Sequence, residues 1–175
     1  MKKFILLLAL FFSICGLMYA AQTDTFQISV SITGTGKSVM ITETSTTTFT
    51  GTNQTVAYSS ITVKNDSGGL TEDYQIMGST TSNNWSLSSD DTAGPNEAVL
   101  QALVKAGDTT TGTFEAEDVV TYAYQDCSST KFSDGDTSNG SGVVNNAIRS
   151  LLLQLKTPTS VSNTTETITV TINVK

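Results

Sequence analysis

The sequence predicts an all-β chain, a sandwich of short antiparallel strands behind an apolar leader. Three observations predict it. Apolar and polar residues alternate in several segments, most cleanly at residues 165–174, where Ile168, Val170, Ile172 and Val174 are spaced by Thr and Asn. A period of two puts such residues on one face of a strand. Clusters of Gly, Asn, Asp and Ser separate these segments, as turns require. The 175 residues include 31 Thr and 21 Ser but only 2 Pro, and β-branched Thr suits a pleated outer surface. An apolar content of 38%, regularly alternated, is enough to bury a core, which argues against a disordered reading of the Ser/Thr bias.

The elements follow in chain order. Met1-Lys2-Lys3, the apolar run from Phe4 to Phe12, and the small close at Ala20-Ala21 have the layout of a secretory signal peptide. Residues 1–20 are therefore expected to be removed, leaving residues 21–175 as one domain. A retained anchor is the alternative, and lipid attachment at Cys15 a lesser one, since bulky Ile14 precedes it. The mature chain offers no further apolar span. Phe26, Ile28, Val30 and Ile32 define a first strand, and Gly34-Thr35-Gly36 breaks it. Val39 and Ile41 mark a second. Residues 42–55, rich in Thr around Phe49, suit an irregular edge strand. Ser59–Lys64 carries Ile61 and Val63 inward. Asn65-Asp66-Ser67-Gly68-Gly69 turns the chain into Thr71–Met77. Trp85-Ser86-Leu87 follows another turn. Glu97–Lys105 is apolar on every side, which fits a buried strand or a short helix, and its strand neighbours favour the strand. Asp118–Tyr124 reads as a strand or a helical turn, residues 133–142 as a polar loop, and Ile148–Lys156 as a strand stopped by Pro158.

Composition narrows function. With Lys2 and Lys3 gone with the leader, 7 basic residues face 16 acidic ones, a net charge of −9. That balance argues against a protein built to grip phosphate backbones, which needs a basic face. His is absent, which removes Ser-His-Asp and Cys-His catalysis and His-ligated zinc or haem. Cys127 is the single thiol of the expected mature chain. It reads as a small buried hydrophobe, with intermolecular pairing as the alternative.

Ile61-Thr62-Val63-Lys64-Asn65, then Gly68 or Gly69, then Tyr74-Gln75-Ile76, resembles the ITVxNxG…YxI hairpin of bacterial extracellular immunoglobulin-like modules. The stretch from Leu151 to Pro158 and the strand Ile168–Val174 resemble the end of the same modules. The resemblance implies an immunoglobulin-like antiparallel β-sandwich. Trp85-Ser86-Leu87 is similar to part of the WxL cell-wall-binding domain, although Trp85 is the only Trp. The leader predicts a secreted protein, at the cell surface, outside the cell or in the periplasm. The expected role is non-enzymatic: structural, matrix or adhesive, acting through loops and exposed strand edges that pair with copies of itself or with other envelope proteins. A carbohydrate- or peptidoglycan-binding module using surface aromatics is the alternative.

Candidate site residues are few. Glu115, Glu117 and Asp118 form an acidic cluster that could pair an acid with a base in glycoside hydrolysis, though a solvated loop explains it as well. No cofactor is expected. Calcium is the one candidate metal: Asp134, Asp136 and Asn139 place hard oxygen donors in a Gly-rich loop, off the EF-hand register. Asp66, Asp73, Asp90 and Asp91 could add carboxylates. Tyr122, Tyr124 and Trp85 are the candidate sugar-stacking aromatics, with Trp85 also suited to the core. Lys64 and Asn173 could suggest an intramolecular isopeptide bond, but the strand pattern turns Asn173 outward.

Overall fold

The computed structural model describes residues 25–33, 39–41, 47–82, 84–107, 109–137, 139–162 and 165–175. The expected leader, the break at residues 34–36 and Cys15 lie outside the described residues. Among the described residues ten strands form: β1 (Thr25–Thr33), β2 (Val39–Ile41), β3 (Thr47–Thr50), β4 (Thr55–Asn65), β5 (Tyr74–Thr80), β6 (Ser86–Leu87), β7 (Glu97–Ala106), β8 (Gln125–Asp126), β9 (Ile148–Lys156) and β10 (Thr165–Val174). They make two five-stranded sheets, in the order β3-β1-β10-β5-β8 (sheet A) and β2-β4-β9-β7-β6 (sheet B).

One apolar core draws on both sheets. Ile28, Tyr74, Ile76, Ile168, Val170 and Ile172 come from sheet A. Ile61, Val63, Leu100, Leu151, Leu153 and Leu155 come from sheet B. The alternation at β10 therefore does what its period dictates. Ile168, Val170 and Ile172 are buried, whereas Asn173 is half-buried and its Nδ2 donates to Gln75 Oε1 at 2.7 Å. Lys64 pairs instead with Asp66 in the other sheet's surface, so no isopeptide pair is assembled.

Three expectations change. The sheets are not wholly antiparallel: β1 runs parallel to β10 over nine residues, and β6 runs parallel to β7. These pairs are far apart in sequence or joined by a long loop, so no tight turn forces them antiparallel. The segments likened to a hairpin do not pair. β4 lies in sheet B and β5 in sheet A, as β9 and β10 also divide. Each connection is an arch across the core. The first arch is built by Asn65, which is fully buried. Its Nδ2 donates to Leu70 O at 3.0 Å and Val143 O at 2.7 Å, and its Oδ1 accepts from Ser67 N at 2.9 Å. Gly68 and Gly69 then take φ of 70° and 122°, where a side chain would be strained.

The third change concerns Asp118–Tyr124. It is neither strand nor regular helix: a single 3-10 turn, Ala116–Asp118, leads to one isolated bridge between Val119 and Gln101. The preceding residues 109–115 cross the outer surface of sheet B. That strap explains why β7 is apolar on both faces. Ala98, Leu100, Ala102 and Val104 join the shared core, while Val99 and Leu103 are buried on the opposite side with Leu152 of β9.

Candidate functional site

The strap and the loop that follows β8 border an open surface pocket of about 390 Å³, lined by Glu115, Glu117, Ser129, Thr130, Ser133, Asp134 and Gly135. Two acidic features far apart in sequence thus meet in one place. Each wall has a local cause. Glu115 begins the 3-10 turn, and its side chain and that of Asp118 form a reciprocal capping box. Ser133 Oγ donates to Asp136 O at 3.1 Å, tightening the loop. Lys105 of β7 reaches out to Asp134 at 2.5 Å and to Thr111 O at 3.1 Å, tying strap to loop.

Asp118 does not line the pocket. It is 1% exposed, and its Oδ2 accepts from Glu115 N at 2.9 Å. Burial raises its proton affinity above the ordinary carboxylate, against the opposing pull of the Glu115, Ser133 and Phe132 N–H groups and Lys131. Lys131 is held in turn by Val119 O at 2.8 Å and lies 4.6 Å from the Phe132 ring centroid. Burial lowers its proton affinity.

Asp134 and Asn139, two of the calcium candidates, have partners within the protein. Asp134 is engaged by Lys105. Asn139 is buried, with Oδ1 accepting from Ser141 N at 2.8 Å and Nδ2 donating to Asp136 O at 3.3 Å. Asp73 caps the same loop: the Gly142 N–H and the Ser141 hydroxyl donate to it and hold its carboxyl below the usual range. Asp91 pairs with Lys156, and Asp90 closes a local turn on Thr92 N. Among the described residues, no group of three or more Cys, Asp or Glu side chains is placed to hold a metal ion.

The aromatic candidates separate. Trp85 is 2% exposed and belongs to the core, so the indole is not a surface platform. Tyr122 and Tyr124 are 49% and 43% exposed. They sit in a bend and not on a strand, and the Tyr122 hydroxyl accepts from Leu87 N at 2.8 Å. Cys127 is buried in the core, where burial pushes its thiol up from its ordinary value.

One buried group escaped the sequence reading. Glu166 on β10 is 1% exposed and accepts from Thr81 N, Ser82 N, Asn84 N, Trp85 N and Thr167 N, and from the hydroxyls of Thr81 and Ser82. Burial pushes its carboxyl up, but the donors, led by Ser82, outweigh it and hold it at about 2. The signal was present: Glu166 shares the parity of Ile168 and Val170, so a strand reading turns a carboxylate inward.

A scan against protein-family models finds no match, and a search of the curated proteins finds no similar sequence. Among the described residues, no helix is long and apolar enough to cross a membrane.

Proposed function

We propose that this chain is a secreted, non-enzymatic component of a cell envelope, an immunoglobulin-like β-sandwich that acts through loops and exposed strand edges. The observation that carries this reading is the architecture: two stacked sheets close on one apolar core and end, among the described residues, in short outer strands. β8 and β6, at the far ends of the two sheets, are two residues each, Gln125–Asp126 and Ser86–Leu87. The outer edge of a sheet is where a strand from another chain can add.

Size-exclusion chromatography with light scattering, joined to negative-stain microscopy, tests this reading. Assemblies larger than a monomer, or stable complexes with other envelope proteins, are the expected result. A monomer that captures neither copies of itself nor envelope proteins contradicts it. The exposure of Tyr122 and Tyr124 favours a second reading, a carbohydrate- or peptidoglycan-binding module. Retention on insoluble polysaccharide that is lost in Tyr122→Ala and Tyr124→Ala would select it.

A further inference from the structure

The strap also walls a second hollow, on the outer side of sheet B. A half-open groove of about 200 Å³ lies between the strap and β4. Its floor is Ala57 of β4 with Leu152 and Gln154 of β9, and Ala57 and Gln154 are register neighbours. Thr110, Thr111, Gly112 and Phe114 of the strap form the wall. That wall is tied down along its length. Thr109 N donates to Ser150 Oγ at 2.9 Å, Lys105 Nζ donates to Thr111 O at 3.1 Å, and Gln101 Nε2 donates to Glu115 O at 2.6 Å. A Cβ on Gly112 would stand 2.6 Å from Leu103 Cδ1 and 3.2 Å from Leu152 Cδ1, so the missing side chain is what lets the strap lie this close to β7 and β9. The groove is therefore formed before any ligand arrives, which spares the ordering cost of binding.

The lining has a definite chemistry. It carries no charged side chain. Phe114 is half-buried, so part of its ring remains open at the groove. Among the described residues, the Gln154 amide and the Thr110 and Thr111 hydroxyls spend no hydrogen bond on the protein. Amides and hydroxyls both donate and accept. An aromatic face beside neutral groups of that kind suits a hexose ring, whose C–H face packs on the negative face of the aromatic while its hydroxyls meet the amide and the threonines. The volume is below the roughly 300–1,000 Å³ of a pocket that swallows a compact small molecule, and the open side lets a chain pass out. We propose that this groove binds one residue of a neutral hexose chain, with Phe114 as the stacking surface and Gln154 as the principal hydrogen-bonding group. The proposal rests on the sugar-binding reading and gives it a site away from Tyr122, which accepts from β6 at the far edge of sheet B.

Amide shifts of the ¹⁵N-labelled chain, followed during titration with cellotetraose and with chitotetraose, test this. Both probes are neutral, and they distinguish a hydroxylated chain from an acetamido one. Saturable shifts of the Ala57, Thr111, Gly112, Phe114 and Gln154 amides with either sugar are the expected result. Gln154→Leu and Phe114→Ala should each weaken that binding about tenfold. Groove binding that either variant leaves unchanged overturns the roles given to these side chains. Shifts centred on Tyr122 and Tyr124 overturn this site and leave the sugar-binding reading standing. No saturable shift with either sugar up to about 10 mM overturns both. If a variant does not fold, the pattern of shifts in the wild-type chain decides.

Discussion

Replacing Glu166 with Gln removes a charge from the most densely bonded side chain described in the molecule while preserving its shape. Seven N–H and O–H groups, from Thr81, Ser82, Asn84, Trp85 and Thr167, converge on the carboxylate at 2.7 to 3.3 Å. They bring Thr81, Ser82 and Asn84 down onto β10 and so place Trp85 in the core. The carboxyl is held at about 2, against an ordinary 4.5. At 1.36 kcal/mol per unit, the charged form is worth about 3 kcal/mol to the folded state. A buried amide also turns its NH₂ toward groups that themselves donate, which adds to the loss. Glu166→Gln should therefore cost about 3 kcal/mol near pH 7, measured as a shift in the denaturant midpoint at unchanged slope. The sign of the pH effect follows from a depressed affinity. The stabilisation is complete above about 4.5 and is lost as pH falls toward about 2. The two unfolding curves should converge in acid. A loss below about 0.5 kcal/mol, or one that does not shrink between pH 6 and pH 3, would refute the reasoning.

Three more outcomes are expected. Gly78→Ala forces a Cβ to 2.6 Å from Leu87 Cδ1 and 3.2 Å from Val120 Cγ1, and should destabilise by about 1–3 kcal/mol in thermal or chemical unfolding. Leu153→Ala, at a fully buried position facing the shared core, should cost about 2–5 kcal/mol by the same measurement. Cys127 is buried with its thiol pushed up, so a disulfide-exchange reagent should label it only as fast as the chain opens. Rapid labelling of the folded protein would place that thiol elsewhere.

The residues foretold the layers better than the connections. Ile168, Val170 and Ile172 alternate because one face of β10 is buried, so their position was legible from period alone. β7 was harder. Its unbroken apolar run fits any element buried all round, and the cause is a strap from residues 109–119 that no local pattern announces. Strand order was equally hidden. The turn chemistry of Asn65-Asp66-Ser67-Gly68-Gly69 announces a reversal but not whether the next strand pairs with β4 or crosses to the other sheet. The pocket was half legible. Glu115, Glu117 and Asp134 were singled out separately, but their meeting depends on Lys105 of β7 and on how two loops fold, which sequence spacing does not encode. Ser129, Thr130 and Ser133 are three hydroxyls in a chain full of them, and only the fold distinguishes them.

The central claim is that two sheets close on one shared core, and methyl nuclear Overhauser contacts test it most directly. With Ile, Leu and Val methyls labelled, contacts should run across the layers, joining Ile76, Ile168 and Ile172 of sheet A to Leu100, Leu151 and Leu153 of sheet B. Methyl contacts confined within each sheet, with none between the two sets, would contradict the account.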